Sequence, residues 1–382
     1  MAGVYIHIPY CSQACYYCNF HFSTQLKSSS KMLQAMCLEL EMRKNELPTD
    51  LKTIYFGGGT PSILAVEQLQ KLIENVKINF GAQGIQEITL ECNPEDITEL
   101  KLKEWKALGI NRLSIGIQSF FDTDLKLMNR IHSAKEALLS LDLAMNHFEN
   151  ISVDLIYGIP NQSSAQWKQN ITSITERKIP HISAYALTVE PNTALDRFIS
   201  KEIIPPVSDT KAEADFFELI ELLDNEGYEH YETSNFAKPG FYSKNNTAYW
   251  TGESYLGIGP SAHSFDGEMR SWNIRNNNKY IRSIIDGILP IEREQLSLRD
   301  KYNEYIMTSL RTKWGISIDQ VTNRFGVLYR DYLLQMAQHH IDEGLLYCDA
   351  KKKTLSVTSR AKFLVDGLAS DLFLIELKSS NS

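Results

Sequence analysis

The feature that most constrains the fold of this chain is the alternation of short apolar segments with amphipathic ones over roughly its first 230 residues. The six strand candidates are residues 4–8, 53–56, 87–91, 112–117, 152–156 and 182–186. The helix candidates between them are residues 30–47, 66–80, 98–108, 134–146 and 164–175. Repeated βα units at this spacing predict an α/β fold with a parallel sheet and helices outside it. A doubly wound sheet and an incomplete TIM-like barrel both satisfy the pattern.

The size and charge of the chain exclude several classes of protein. Its 382 residues, 43% of them hydrophobic, suffice for one large domain and a smaller one. The net charge of −8 argues against a general nucleic-acid surface, which usually carries a basic stripe. No segment approaches the ~20 apolar residues of a membrane span, and the N-terminus lacks the pattern of a signal peptide. We therefore expect neither a nucleic-acid partner nor a membrane span.

The distribution of cysteines predicts a compartment. Three of the six cysteines lie close together, and Cys37, Cys92 and Cys348 are scattered singly. This distribution is typical of reduced thiols in a cytosolic protein and does not form a disulfide framework. We therefore expect a cytoplasmic location.

The residue composition and the hydrophobic periodicity of the chain change after about residue 232. Asn, Gly, Ser and Tyr dominate residues 234–278 without clear periodicity, which predicts an irregular, functional connecting segment. Helical patterns return further on, at 302–310, 318–325 and 332–343. Two short β-like segments follow, at 345–348 and 354–358, as in a winged-helix module. We predict three parts: an α/β core at 1–232, an irregular connection at 233–290 and a smaller winged-helix-like α+β module at 291–382.

Three cysteines directly after the first predicted strand form the most specific motif. Cys11, Cys15 and Cys18 have the spacing C-x-x-x-C-x-x-C. Soft thiolates suit iron–sulfur clusters, zinc or copper. A structural zinc site requires four ligands, and only His21 is near enough in sequence to be a fourth ligand beside the three cysteines. Three thiolates on a four-iron cluster leave one iron open, which suits chemistry. A disulfide with a spare thiol is the remaining alternative.

Further polar or glycine-rich positions follow the later strands. Residues 57–62 read Gly-Gly-Gly-Thr-Pro-Ser, which is neither a dinucleotide fingerprint nor a P-loop, and a tight turn into a helix is its plain alternative. We expect four polar side chains to lie one at each successive strand end, and these are Glu91, Gln118, Arg130 and Asp154. Each of them taken alone is more often structural. Together they predict a site on the C-terminal ends of the strands.

The cysteine spacing resembles that of the radical S-adenosylmethionine (radical SAM) family. The resemblance implies a partial (β/α)6 TIM-like barrel and a [4Fe-4S] cluster on Cys11, Cys15 and Cys18. It also implies that the open iron holds the amino and carboxylate groups of SAM. In this family an electron from the cluster cleaves SAM to a 5′-deoxyadenosyl radical.

Within that family, the chain is similar over residues 3–266 to the oxygen-independent coproporphyrinogen III oxidases and their HemW-type haem-chaperone relatives. The resemblance implies contacts to the cluster-bound SAM from Tyr5, Tyr17, Gly58 and Glu91. It implies contacts to a second SAM, as assigned in the oxidases, from Gly59, Thr60, Gln118, Arg130 and Asp154.

Two departures from the oxidases favour the chaperone branch. Phe20 stands where the oxidases carry a further cysteine, and Cys11 lies almost at the start of the chain, where the oxidases have an N-terminal arm. One departure from the chaperones concerns their His-Asn-x-x-Tyr-Trp motif, in which the histidine is implicated in haem binding. Here Asn245 takes the place of that histidine, while Tyr249 and Trp250 are kept. His263 is the best alternative haem ligand.

We therefore predict a cluster- and SAM-binding protein that binds haem as cargo and delivers it to apo-haemoproteins, with peripheral contact to membrane haemoproteins compatible with this role. The alternative is radical oxidative decarboxylation of coproporphyrinogen III in porphyrin biosynthesis. A third class, a radical SAM enzyme acting on RNA, is disfavoured by the acidic pI of 5.7. Neither the recipient protein nor the oligomeric state follows from the sequence.

Overall fold

The computed structural model of the chain describes residues 2–47 and 50–375, and its first half is built on a parallel sheet. The strands are β1 (Ala2–Ile8), β2 (Leu51–Gly58), β3 (Glu87–Cys92), β4 (Arg112–Gln118), β5 (Ile151–Tyr157) and β6 (His181–Ala186). They lie side by side in chain order, and each neighbouring pair is parallel. The predicted strands and the partial barrel are confirmed.

Helices connect these strands. They are α1 (Ser29–Met42), α2 (Val66–Phe80), α3 (Glu99–Ala107), α4 (Asp122–Leu127), α5 (Ala134–Met145), α6 (Ser164–Thr175), α7 (Ala194–Ser200) and α8 (Asp209–Asn225). Capping boxes start α5 and α6, where Ser133 and Ser163 accept from the backbone three residues on. Five helices were predicted, and α4, α7 and α8 were not. The first helix ends at Met42, five residues before its predicted end at 47, because Arg43 leaves the helical conformation as its guanidinium binds inside the protein.

Residues 229–295 complete the large sheet. They form β7 (Glu229–Glu232), β8 (Asn235–Ala237), α9 (Lys244–Trp250), β9 (Ser254–Ile258), β10 (His263–Phe265), β11 (Met269–Asn273), α10 (Asn277–Ile285) and β12 (Ile291–Gln295). Strand β9 lies parallel to β1, so it adds a seventh parallel strand. The order across the sheet is β12-β11-β10-β9-β1-β2-β3-β4-β5-β6-β8-β7. The prediction of an irregular segment at 233–290 is therefore wrong.

A buried ion pair explains why this segment has no apolar periodicity. The carboxylate of Glu39 pairs with Arg43 at 3.0 Å, and both side chains are almost fully buried on α1. Glu39 accepts hydrogen bonds from the backbone nitrogen of Gly259 at 2.9 Å and from Nδ2 of Asn273 at 2.8 Å. The hydroxyl of Tyr280 donates to it at 2.5 Å. Because a buried charge needs such partners, polar residues occupy interior positions of the added strands.

The last part of the chain forms a module with a hydrophobic core of its own. Its elements are α11 (Leu298–Leu310), β13 (Ile316–Ser317), α12 (Ile318–Phe325), α13 (Val327–Asp342), β14 (Leu346–Asp349), β15 (Thr354–Val357) and α14 (Val365–Asp371). The antiparallel order β13-β15-β14 confirms the predicted winged-helix-like arrangement. The boundaries at 232/233 and 290/291 stay predictions, although β12, just past the second one, lies in the large sheet.

The sequence predicts no membrane span, and the described helices can be compared with the length that a span needs. Among residues 2–47 and 50–375, no helix combines the length and the apolar character needed to cross a bilayer.

Candidate functional site

The three clustered cysteines lie in the loop that follows β1, at the C-terminal end of the parallel strands. Cys11, Cys15 and Cys18 are half-buried free thiols. The backbone nitrogen of Cys18 donates to the carbonyl of Cys15 at 3.3 Å, which folds the loop back on itself. Burial raises the pKa of Cys11 to about 11, and the charges of Cys18 and Cys15 add to the rise. The three thiols therefore share one small region of the structure.

The donor set of this loop fits a cluster better than a single ion. Among the described residues, no group of three His, Cys, Asp or Glu side chains is arranged to hold one metal ion. His21, the candidate fourth zinc ligand, has its Nε2 hydrogen-bonded to Oδ1 of Asn277 at 2.7 Å. A four-iron cluster is wider than one ion, so its thiolate ligands stand further apart. Thiolates are the ligands that iron–sulfur clusters take, so the ligand chemistry of the three cysteines fits such a cluster.

Two side chains expected to contact a second SAM lie against the cysteines. The hydroxyl of Thr60 hydrogen-bonds the thiol of Cys11. Nη1 of Arg130 donates to Sγ of Cys15 at 3.5 Å, and Tyr17 hydrogen-bonds the same thiol. A neighbouring cation and hydroxyl donors stabilise a thiolate over a thiol. Thr60 and Arg130 therefore oppose the rise in the pKa of Cys11 that burial causes.

The glycine segment after β2 allows the cysteine loop to pack closely. A Cβ on Gly59 would lie 2.5 Å from the carbonyl oxygen of Tyr10. Instead, the backbone nitrogens of Gly59 and Thr60 donate to the carbonyls of Ile8 and Tyr10 at 2.8 and 2.7 Å. Gly58 has a φ of +105°, in the region that favours glycine. The chain itself therefore requires these glycines, in addition to any ligand they contact.

Glu91, near the end of β3, is a half-buried carboxylate inside the barrel. The hydroxyl of Tyr55 donates to its Oε1 at 2.8 Å, and the backbone nitrogen of Gly58 donates to its Oε2 at 3.2 Å. The ring of Tyr5 stacks on Tyr55 with a centroid distance of 6.0 Å. Burial raises the pKa of Glu91 to about 7, against the lowering effect of the Tyr55 hydrogen bond. At neutral pH this group can therefore hold or release a proton.

The remaining predicted side chains do not come one from each strand end. Asp154 lies in the middle of β5, where it accepts a hydrogen bond from Oγ of Ser114 at 3.1 Å, and burial raises its pKa to about 6. Gln118 ends β4 with a φ of +69°, a strained value for a non-glycine residue. Arg130 lies in the α4–α5 connection after the same strand. The expected arrangement over four strand ends is wrong, because three strands supply the four residues.

Two residues of this region were missed by the sequence analysis. Arg112 is 1% exposed on β4, its Nε and Nη1 have no hydrogen-bond partner among the described residues, and its charge opposes the raised pKa values of Glu91 and Asp154. Oδ1 of Asn93 accepts from Arg130 at 2.7 Å, and its Nδ2 donates to the Thr60 hydroxyl at 3.4 Å. The period-2 alternation of 112–118 gave a signal for Arg112, since every second side chain of a barrel strand points inward.

The predicted haem motif lies at the other end of the barrel from the cysteines. Asn245 is 3% exposed in the first turn of α9, and its Oδ1 accepts from Oγ1 of Thr53 at 3.2 Å. Its backbone nitrogen donates to the carboxylate of Glu87, the first residue of β3, at 3.1 Å. Five residues of β1 separate the level of Gly3, beside Asn245, from Ile8 before the cysteine loop. At ~3.3 Å per residue this is roughly 16 Å.

Asn245 and Tyr249, two of the four candidate haem residues, are hydrogen-bonded to each other. Tyr249 and Trp250 line a cavity of about 510 Å³ between the large sheet and the C-terminal module. His263 starts β10, with its ring stacked on Trp272 at 6.1 Å, and its charge contributes to the lowered pKa of His7 inside the barrel. Neither Asn245 nor His263 lines the cavity.

Comparison with known proteins places this site in a family. Residues 5–174 match the Radical SAM superfamily, and residues 296–364 match the HemN C-terminal domain. The chain is 33% identical over 358 residues to "Heme chaperone HemW" of Lactococcus lactis, an alignment that covers 92% of each protein. The chain belongs to the HemW family of haem chaperones. The member from Bacillus subtilis is 34% identical over 372 residues, covering 93% of this chain and 97% of the relative.

A solved structure shows that the fold extends beyond the HemW family. The chain matches the Escherichia coli structure titled "Coproporphyrinogen III oxidase (HemN) from Escherichia coli is a Radical SAM enzyme" with a TM-score of 0.84. The match covers 97% of this chain and 90% of that chain at 24% sequence identity. The predicted radical SAM fold and the predicted haem-chaperone branch are both confirmed.

Proposed function

We propose that this chain is a haem chaperone, which binds haem and delivers it to apo-haemoproteins. The observation that carries this proposal is its 34% identity over 97% of the length of the haem chaperone HemW of Bacillus subtilis. That alignment covers 93% of this chain, so it includes both the barrel and the C-terminal module. Peripheral contact with membrane haemoproteins and a cytoplasmic location belong to the same proposal, the latter supported by the free cysteines.

We also propose that Cys11, Cys15 and Cys18 hold a [4Fe-4S] cluster. When bound, such a cluster supplies an open iron for the amino and carboxylate groups of SAM and an electron to SAM. The half-buried thiols, their mutual charge coupling and the hydroxyl of Thr60 support the proposal. Arg130, with one nitrogen on Cys15, stabilises the thiolate state of the loop.

The proposed SAM contacts divide into two groups. Tyr5 and Glu91 face the barrel interior with Tyr55, and the carboxylate of Glu91 can accept hydrogen bonds from ribose hydroxyls or an amine. With the backbone of Gly58 and with Tyr17, they are the proposed contacts of the cluster-bound SAM.

A second SAM is a separate proposal. Its contacts would come from Gln118 and Asp154, whose side chains are half-buried in the barrel, and from Gly59. Thr60 and Arg130 already bond the cysteine loop and Asn93, so we assign them to the cluster first.

The alternative activity, porphyrinogen oxidation, has less support. Phe20 occupies the position of the further cysteine of the oxidases and is 67% exposed, so its ring faces solvent beside the cluster loop. Radical chemistry on a substrate needs a closed site that excludes water and side reactions. Anaerobic incubation of the reconstituted protein with coproporphyrinogen III, SAM and a reductant distinguishes the two activities. We expect no protoporphyrinogen, and its clear formation would contradict the chaperone as sole function.

The direct test is haem binding followed by transfer. We expect saturable binding of haem to the reconstituted protein, measured from the Soret band. We then expect the rate of haem loss to an apo-haemoprotein to rise with the concentration of that acceptor. A rate that does not depend on the acceptor would indicate passive release into solution and would contradict delivery.

A further inference from the structure

The cavity between the barrel and the C-terminal module is bordered by flat aromatic side chains. From the barrel side come Tyr249 and Trp250 of α9 and Tyr255 of β9, and from the module side comes Tyr305 of α11. The rings of Tyr249 and Tyr255 meet edge to face, with their centroids 4.6 Å apart. Its volume of about 510 Å³ is in the range of small-molecule sites, which run from roughly 300 to 1,000 Å³. The cavity therefore suits a flat, largely apolar ligand.

The lining restricts how an iron porphyrin could be held there. Among the described residues that line the cavity, there is no histidine, cysteine or methionine. The tyrosines are the side chains of this lining whose type serves as an axial ligand in haem proteins. A phenolate is a hard, anionic oxygen donor, so it favours ferric over ferrous iron.

The three tyrosines differ in the hydrogen bonds that their hydroxyls make. The hydroxyl of Tyr249 is hydrogen-bonded to Asn245. That of Tyr305 accepts from the backbone nitrogen of Ser317 at 3.0 Å. Within the described part of the chain, the hydroxyl of Tyr255 has no hydrogen-bond partner. Tyr255 is therefore the tyrosine whose oxygen is available to a metal.

The surroundings of Tyr255 moderate the cost of forming a phenolate. Burial raises the pKa of Tyr255, and the guanidinium of Arg270 opposes that rise, while Glu304 adds to it. Arg270 and Glu304 form an ion pair at 3.0 Å, so both charges are fixed near the phenol. A ferric ion is a far stronger positive charge than either, and its arrival would displace the phenol proton to solvent.

A cation on the module side is available for a carboxylate. Arg324 lines the cavity, and its guanidinium lies 5.1 Å from the ring centroid of Tyr305. Within residues 2–47 and 50–375, Arg324 forms no ion pair, whereas Lys301, also in the lining, pairs with Glu268 at 2.5 Å. Haem carries two propionates on one edge, and arginine binds a carboxylate with two parallel hydrogen bonds.

We propose that ferric haem occupies this cavity, with the phenolate of Tyr255 as axial ligand and a propionate on Arg324. This rests on the proposed haem-chaperone function and assigns its cargo site to the face where the C-terminal module meets the barrel. The site lies at the N-terminal ends of the parallel strands, since Tyr255 pairs with Gly3 of β1. Haem and cluster are thereby held at opposite ends of the barrel.

The ligand is tested by spectroscopy of the ferric complex of the full-length, reconstituted protein. We expect a high-spin spectrum with a phenolate-to-iron charge-transfer band in the wild type. Tyr255→Phe should lose that band and weaken ferric haem binding at least tenfold. Tyr347→Phe, at an exposed tyrosine of β14 outside the cavity lining, is the matched control and should keep the band and the affinity. The absorbance of the cluster at the far end of the barrel reports that each variant is folded.

Two results would overturn the ligand assignment while haem binding stands. One is a Tyr255→Phe variant with the wild-type band and affinity. The other is a low-spin, imidazole-type spectrum that His263→Ala abolishes. Absence of saturable haem binding by the wild type would instead refute the proposed function, and this inference with it.

The propionate contact has an independent test. Haem dimethyl ester, which lacks the carboxylates, should bind the wild type roughly tenfold or more weakly than haem, as expected for a lost charge-assisted hydrogen bond. In Arg324→Gln the two ligands should bind with nearly equal affinity. If the ester penalty is unchanged in Arg324→Gln, the propionate is not on Arg324.

Discussion

Replacing Glu91 by Gln tests whether the carboxylate of Glu91, a proposed ligand contact inside the barrel, lowers the stability of the folded chain. Its two oxygens accept from Tyr55 and from the backbone nitrogen of Gly58. Glutamine preserves the shape and both contacts, because its amide oxygen can accept from Gly58 while its NH₂ donates to the Tyr55 hydroxyl. The substitution therefore removes the titrating group without leaving a cavity.

The size of the effect follows from the pKa of this group. Burial raises the pKa of Glu91 from 4.5 to about 7. The folded chain then binds the proton more tightly than the unfolded chain, so stability falls as the pH rises from the unfolded value towards 7. At about 1.4 kcal/mol per pKa unit, the free energy of unfolding drops by about 1 kcal/mol at pH 5.5 and about 3 kcal/mol at pH 8. Glu91→Gln lacks this titration and should be more stable by those amounts.

Urea unfolding of the cluster-free protein at pH 5.5 and pH 8 measures the difference. Trp105 and Trp167, both fully buried in the barrel, report its unfolding by fluorescence. Glu213→Gln, on the exposed face of α8, is the control and should change stability by less than about 0.5 kcal/mol at either pH. Equal stability of Glu91→Gln and the parent at pH 8, or a gain that does not grow with pH, would refute the reasoning. The same variant should bind SAM more weakly if Glu91 contacts it.

Three further substitutions test separate parts of the structure. Cys18→Ala should abolish the visible absorbance of the reconstituted cluster, whereas Cys348→Ala, an exposed thiol of the C-terminal module, should retain it. Gly59→Ala should lower the free energy of unfolding by about 2 kcal/mol or more, because its Cβ would lie 2.5 Å from a backbone oxygen of the cysteine loop. Gly367→Ala, in helix α14 with nothing within 4 Å, should instead raise it by up to about 1 kcal/mol in the same denaturation experiment. Asn245→His should destabilise the chain by about 1 to 3 kcal/mol without tightening haem binding, and a large gain in haem affinity on titration would place the iron ligand at this position.

The core of the barrel could be predicted from the sequence because its signals are local. The alternation of short apolar segments with amphipathic segments located strands β1 to β6. The predicted ends of helix α2, Val66 and Phe80, are its observed ends. Helices α5 and α6 begin at their predicted first residues, 134 and 164, and the structure shows a serine capping box at each start. These patterns depend on residues that are neighbours in the chain, so they can be recognised without knowing which distant residues are in contact.

Some residues of the candidate site lie where the sequence placed them, and others do not, while their roles stay predictions. The cysteines, Gly58 and Glu91 lie together at the strand ends, where the βα pattern places loops. Asp154 was assigned to a strand end but lies in mid-strand, because inward-facing positions repeat every second residue and do not mark where a strand stops. Arg130 was expected on a ligand, yet its nitrogens bond Cys15 and Asn93, which no sequence spacing encodes.

By itself, the sequence determined the parallel α/β core, the loop with three closely spaced cysteines and the winged module, since each rests on short-range periodicity or spacing. Only the tertiary structure decided that β9 adds to the sheet beside β1, and that an aromatic cavity forms where the module meets the barrel. The physical reason is that long-range polar bonds fix these features. Glu39 meets the backbone of Gly259 across 220 residues, and a buried charge must find such partners wherever the fold brings them. Tyr255 and Arg324 likewise share a cavity only because two separately packed cores dock against each other.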